Sequence, residues 1–373
     1  MAVTEVTHTS WFSRIGSSVV GSLIGLALVV GMAGLLFWNE GRAVKTAKAL
    51  AEGAGSVVEV SANAVDAANE GRLVHIAAAA APVGVPEDSR LGIKAEGAVS
   101  LERAVEMFQW RETQKSETRT KVGGGQETVT TYDYERAWSS SPISSSGFKE
   151  PAGHQNPPMP IQGDDFAVPT VNVGAFAIAG GRVTNLASDS AILPDAGAPD
   201  RIAAAAGISR PGKLIGDTVY FGWAADNPQI GDLRVGFKRG DLKDVSVAGA
   251  QKGNAIVDWT ASNGRAIFLA KAGIVPAAEL FADAVASNKA LTWILRAVGL
   301  ILMLVGFSLM LAILGVIGDV IPFIGSIIRS GTFLIALAMT ALLGSLAIAA
   351  GWMFYRPLLS LAVVAAGVAV FYA

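Results

Sequence analysis

Residues 297–318 read AVGLILMLVGFSLMLAILGVIG, residues 330–355 SGTFLIALAMTALLGSLAIAAGWMFY, and residues 357–373 PLLSLAVVAAGVAVFYA. After Arg296 only Asp319, Arg329 and Arg356 carry charge, dividing the block into runs of about 22, 26 and 17 residues, where ~20 helical residues cross a hydrocarbon core of about 30 Å. The chain therefore reads as a membrane protein. A charge at the centre of a span costs roughly 3 kcal/mol, so these three side chains are expected at interfaces. Asp319 and Arg329 bracket a short segment containing Pro322, which predicts a tight turn over 319–329 between antiparallel spans. Arg356-Pro357 interrupts the next run, and with Trp352 and Tyr355 it forms the aromatic and basic cluster typical of headgroup level. The C-terminal spans are expected at 291–318, 330–355 and 356–373, the last being the shortest.

At the other end, residues 1–17 read as a short polar tail and residues 18–38 as a first span, closed by Trp38. The uncharged run from Ile15 to Asn39 exceeds the roughly 7–15 residues of a signal-peptide core, which favours an uncleaved anchor. Gly21 and Gly25 form a small-xxx-small pair that would admit a second helix, making them candidates for helix packing or oligomerisation; glycine is also common in membrane helices without that role. From Asn39 to Gly53 the apolar residues recur at helical spacing, predicting a short amphipathic helix whose Arg42, Lys45 and Lys48 lie near headgroups or on a solvated face. Residues 275–290 show the same periodicity and lead into Trp293 and Arg296, also expected at the interface.

Between these ends, residues 39–290 read as one extramembrane body rich in β-structure. Strands are predicted at 104–113, 128–138, 168–178, 218–223, 232–238, 244–248, 255–259 and 265–270, separated by Gly, Pro, Asn and Ser clusters. Gly123-Gly124-Gly125 joins two polar, Thr-rich runs into a long hairpin, expected to project into solvent or pair at an edge. Residues 139–160 read as a loop and 201–206 as a short helix. The fold class is thus an α+β membrane protein: four transmembrane helices, one N-terminal and three C-terminal, flank a large β-rich domain with amphipathic helices at its membrane-proximal ends.

The chain of 373 residues has a net charge of −2 and no basic tract, which argues against nucleic acid as a partner. It contains no cysteine, which removes disulfides, thiolate chemistry and Cys-based zinc sites. His8, His75 and His154 are far apart, none at the spacing of helical metal ligands. Asp164-Asp165 and the pair Asp217 and Asp232 read as turn residues. No nucleophile elbow, zinc-protease, P-loop or dinucleotide motif occurs. No enzyme activity, cofactor or metal is expected. The spans lack interior Asp, Glu, Lys and His, which counts against ion-coupled transport but leaves open a pore lined by carbonyls or hydroxyls.

Five stretches carry a resemblance: 39–43 (NEGRA), 69–76 (NEGRLVHI), 105–110 (VEMFQW), 231–235 (GDLRV) and 350–358 (AGWMFYRPL). In this order and spacing the chain resembles the transmembrane protein 43 family, also called LUMA, over nearly its whole length, and its Ala-rich, Cys-free composition suggests a bacterial member. The resemblance implies four spans and a large domain between the first two. It also implies self-association and a role in organising membrane protein complexes, with lipid, further copies and other membrane proteins as partners. In animal members the domain faces the lumen of the endoplasmic reticulum and nuclear envelope; in a bacterium the corresponding place is the periplasm, with the spans in the inner membrane. Local charge points the other way, because Arg42, Lys45 and Lys48 after the first span outnumber Arg14 before it. Two readings follow: a non-enzymatic scaffold, or an oligomeric channel or lipid-handling protein gated by its domain.

Overall fold

A computed structural model describes residues 3–353 and 357–372. In chain order its main strands are β1 (Val3–Thr9), β2 (Val58–Glu59), β3 (Leu73–Val83), β4 (Ser100–Thr120), β5 (Gln126–Ser139), β6 (Asp164–Ala167), β7 (Thr170–Val173), β8 (Phe176–Ala179), β9 (Ser188–Ile192), β10 (Gly212–Ile215), β11 (Thr218–Phe221), β12 (Leu233–Asp241), β13 (Asp244–Lys252), β14 (Ala255–Val257) and β15 (Leu269–Ala272). The α-helices are α1 (Trp11–Ser56), α2 (Ala198–Ala206), α3 (Ala277–Gly318), α4 (Pro322–Trp352) and α5 (Pro357–Tyr372). The chain forms two compact units. One comprises residues 1–3, 52–114 and 132–282, and the other residues 4–51, 115–131 and 283–373.

The first unit is β-rich, as its period-two patterns predict. One sheet has the order β5-β4-β12-β11-β10, with β9 also on β12 and β6 on β4, while β1, almost all of it in the second unit, pairs with β5. β12 alternates buried Leu233, Val235 and Phe237 with more exposed neighbours, and β4 does the same with Leu101, Val105 and Met107. These rows, with Val219 and Phe221, pack against Ala198 and Ile202 of α2. The second sheet runs β15-β13-β14-β8-β7-β3-β2, and a further β13–β3 pairing closes β3, β7, β8, β14 and β13 into a ring. Its inward residues Val74, Ile76, Val171, Val173, Phe176, Ile178, Val245 and Val247 form a separate core. Residues 168–178, expected as one strand, are instead the hairpin β7–β8. Gly174 turns it with φ 62°, and a β-carbon there would collide with the Ala62 carbonyl. Residues 139–160 are a long connection held by Asn156, whose amide donates to Trp110 O (2.8 Å) and Ile143 O (3.1 Å) while its oxygen accepts from Trp110 N.

The second unit contains three helices, α1, α3 and α4, long and apolar enough to cross a membrane. Two expected boundaries change. The first span and the amphipathic helix after it are one uninterrupted helix of 46 residues, because the lone Gly41 costs a helix only about 1 kcal/mol. The turn expected at 319–329 shrinks to a few residues. Pro322 occupies the first turn of α4, where its missing N–H is no loss, and Arg329 lies on the helix. The expected tail 1–17 also has structure, as β1 and the start of α1. The fourth expected span corresponds to α5, whose 16 residues extend about 24 Å, short of a 30 Å core. α5 packs back on α4, and Gly367 lies against Ser345.

Glycines set the helix contacts. Gly306 of α3 faces Gly25 of α1: a β-carbon at Gly306 would lie 2.8 Å from the Gly25 carbonyl and 2.9 Å from Val29. Gly299 fits beneath Leu36, and Val29, Leu36, Met303, Phe307 and Ala336 form the small core of the bundle. Outward-facing Leu23, Ile301 and Leu334 are 60–64% exposed, which suits lipid contact and no aqueous surface. We predict that Gly306→Val lowers the stability of the detergent-solubilised protein by about 1–3 kcal/mol through overpacking. Gly31→Val, where nothing lies within 4 Å, is expected to be neutral by the same thermal-unfolding measurement.

Candidate functional site

The helical unit carries a buried polar cluster at each end. At one end Glu40 of α1, fully buried, accepts two hydrogen bonds from Arg296 of α3 (2.6 and 2.7 Å) and one from Trp352 Nε1 of α4. Gly351 makes this possible, since a β-carbon there would lie 2.5 Å from that of Glu40. The Arg296 guanidinium lies near the rings of Trp293 and Trp352, 4.7 and 5.3 Å from their centroids. One helical step away, Asn39 donates to Thr292 O, and Arg42 donates to Asn39, Thr292 and Asn288 side-chain oxygens at 3.1 Å. Asn288 returns a bond to Ala43 O.

At the other end Asp319, also fully buried, pairs with Arg14 of α1 and with Arg329 of α4 (2.7 and 2.8 Å). Arg14 donates in addition to the carbonyl of Gly124, Trp11 Nε1 donates to Val316 O (2.8 Å), and Gly123 N donates to Val320 O (3.0 Å). Gly124, with φ 80°, packs against the Trp11 indole. The tip of the Gly-rich hairpin therefore meets the helices at the Arg14 end, where the sequence pattern suggested only solvent or a sheet edge. Along α1 the two clusters are about 39 Å apart, along α3 about 35 Å, and along α4 from Arg329 to Trp352 about 35 Å. Each distance matches a hydrocarbon core plus a thin polar margin.

The β-rich unit has its own ionic centre. Asp232, fully buried after the tight turn at Gly231 (φ 88°), accepts from Arg210, from Tyr220 Oη (2.5 Å) and from Gln229 N (2.8 Å). Its backbone joins β4: Phe108 N donates to Asp232 O and Gly231 N to Phe108 O, both 2.8 Å. On the same strand, buried Gln109 donates to Ser141 O and accepts from Ile143 N. Elsewhere, His75 of β3 pairs through Nδ1 with Glu59, and Glu59 accepts from the backbone N of Ala277 at the start of α3. Burial, followed by the hydrogen bond to Asp232, pushes the Tyr220 phenol far above its ordinary value near 10. A raised folded-state value means the proton is bound more tightly in the native protein, so this stabilisation is complete below pH 10 and fades as pH climbs past it. We predict that Tyr220 resists ionisation at 295 nm until the protein unfolds, and that Tyr220→Phe reduces the late phase by one tyrosine.

The expected interface residues divide into two kinds. Trp38 and Trp293 are exposed, at 56% and 67%, and Lys45 and Lys48 also lie outward, while Arg42, Arg296 and Trp352 belong to the buried cluster. Tyr355 and Arg356 lie outside the described residues. Gly25 is used against α3 within the chain, so of the proposed pair only Gly21 faces open space. Sequence reading met Asn39 and Glu40 only as part of the stretch 39–43 that carries the resemblance, and passed over Asn288 and Thr292. The cluster's signal was an acid at the end of an apolar run with a lone Arg at the start of the next. Among the described residues, no three His, Cys, Asp or Glu side chains converge as a metal site would require.

Lipid-exposed helices anchored by polar clusters at both ends, joined to a β-rich domain inserted between the first two of them, define a multi-span α+β membrane protein. The family model for transmembrane protein 43 matches residues 107–357, and the chain belongs to that family. It is 34% identical to transmembrane protein 43 of Homo sapiens over 370 residues, covering 95% of this chain and 89% of the relative. The Mus musculus protein is 32% identical (95% and 90% covered) and the Drosophila melanogaster homolog 27% (93% and 92%). No solved structure matches the chain.

Proposed function

We propose that the protein is a non-enzymatic membrane scaffold that self-associates and organises other membrane proteins or the bilayer around it. The observation that carries this reading is the use of the five sequence stretches. Glu40 meets Gly351 and Trp352, β4 residues meet Asp232, and Glu70 ahead of β3 accepts from Gly253 N at the end of β13. In each case the polar groups join structural elements, whereas an enzyme would aim them into a cleft. In this reading α5 crosses a locally thinned layer as the fourth span, Gly21 belongs to the face between copies, and the domain lies in the periplasm of a bacterial cell. Light scattering in mild detergent and in nanodiscs tests it. A complex several times the 38.4 kDa chain is expected, and monomers under every condition would end the proposal.

One observation favours a second reading, an oligomeric pore. Residues 115–131 are polar and belong to the segment between α1 and α3, yet they contact Arg14 and Val320 at the end of the bundle where α1 begins. A polar ribbon held against the bundle needs an aqueous path, because its outer backbone edge and exposed polar groups have no partners in lipid. The Cys-free background makes the test direct: Val122→Cys, 90% exposed, is labelled by a membrane-impermeant maleimide added to sealed, oriented vesicles. Labelling from the same face as Thr4→Cys supports the pore; labelling only from the opposite face rejects it.

A further inference from the structure

Beside the Glu40 cluster, α1, α3 and Trp352 of α4 leave a groove of about 540 Å³. Ala43, Ala47 and Ala51, spaced one helical turn apart, form its floor on α1 and are small enough to leave the space open. Across from them are Lys289, Trp293 and Arg296 of α3, and Lys48 lies at the α1 rim. Among the described residues lining it, Glu40 is the one carboxylate, fully buried and already engaged by Arg296 and Trp352. Outward charge in the groove is therefore basic, with Lys48 and Lys289 both exposed.

We propose that this groove binds one anionic phospholipid. The position fits that ligand on three counts. The groove opens at the level of the Glu40 cluster, which is one margin of the lipid-facing surface, so a headgroup placed there has its acyl chains running down exposed Phe37, Val30 and Leu26 on the Lys48 side of α1. Trp293 and Trp352 supply flat apolar walls, which suit the glycerol region. Lys289 is an exposed ammonium group able to meet a phosphate without disturbing the Arg296–Glu40 pair, and Lys48 adds positive charge at the α1 rim. The inference needs only the membrane placement of α1 and α3 and holds whether or not copies associate.

The test is native mass spectrometry of the full chain in mild detergent, titrated with phosphatidylglycerol or phosphatidylcholine of identical acyl chains. One phosphatidylglycerol is expected to be retained at least tenfold more tightly than phosphatidylcholine. Lys289→Gln and Lys48→Gln are each expected to weaken that preference about fivefold. Lys45→Gln, at the same end but outside the groove, is expected to leave it unchanged, with all three variants unfolding at the wild-type temperature. Equal retention of the two lipids, or an equal loss from Lys45→Gln, overturns the proposal. So does displacement of the lipid by millimolar inorganic phosphate, which would assign the groove to free anions.

Discussion

Replacing Asp232 by Ala is expected to destabilise the β-rich unit by about 3–5 kcal/mol, the range measured when one partner of a buried ion pair is removed. The carboxylate is fully buried and serves three donors at once: the Arg210 guanidinium, the Tyr220 hydroxyl and the Gln229 amide. Truncation leaves each of them short of an acceptor inside a low-dielectric core, where a stranded donor costs about 1–3 kcal/mol and a stranded charge more. Water has little room to substitute, because Gly222 packs against the carboxylate so closely that a β-carbon would lie 2.5 Å from its Cγ. Asp232→Asn keeps one acceptor oxygen and should lose roughly half as much. Urea unfolding followed by tryptophan emission measures both. A loss below 1 kcal/mol for Asp232→Ala would show that the unit is held by its apolar cores and not by this centre.

The same residue shows where sequence reading stops. Asp232 after Gly231 is what a turn looks like, and it is a turn; that its side chain points inward depends on Arg210 and Tyr220, 22 and 12 residues away, which no local pattern connects. Apolar periodicity, by contrast, made the membrane helices legible, because lipid leaves the backbone one option and the apolar run must match its thickness. The hairpin at Gly123-Gly124-Gly125 was equally plain from its turn chemistry, and α2 begins close to where the Ala-rich helix was expected. Boundaries fared worse. Pro322 reads locally as a break, yet it starts α4, because at a first helical turn its fixed φ is an advantage. The closure of β3 with β13 pairs Leu73 with Ala250, a distance along the chain that alternation alone cannot assign.

The five stretches that carried the family resemblance were legible as a pattern, but their meaning was not. Asn39 and Glu40 looked like the polar start of an interfacial helix. In the structure they sit inside a continuous α1, and what fixes them there comes from α3 and α4. Gly351 was one more small residue in a membrane helix until Glu40 was found packed on it. Glu40 is an ordinary residue when read alone and acquires its role from partners more than 200 residues distant.

Glu40→Ala is therefore expected to have the largest effect in the helical unit. It removes the anion that pairs with Arg296 through two hydrogen bonds and takes the acceptor from Trp352, so α1 loses its polar link to both α3 and α4 in one step. The corresponding loss for a buried pair is about 3–5 kcal/mol, reduced to the extent that Arg296 reaches headgroups on its flexible stem. A double-mutant cycle with Glu40→Gln and Arg296→Gln separates the pair from its surroundings and should return a coupling energy of about 2 kcal/mol, since the groups share one network. The readout is thermal unfolding in detergent, repeated in nanodiscs containing anionic lipid. Compensation by headgroup phosphate predicts a smaller loss in nanodiscs than in neutral detergent. If Glu40→Ala unfolds within 0.5 kcal/mol of the wild type in both, the bundle is held by glycine-mediated packing of Gly25 on Gly306 and of Gly299 on Leu36, and the polar cluster sets depth in the bilayer without contributing to cohesion.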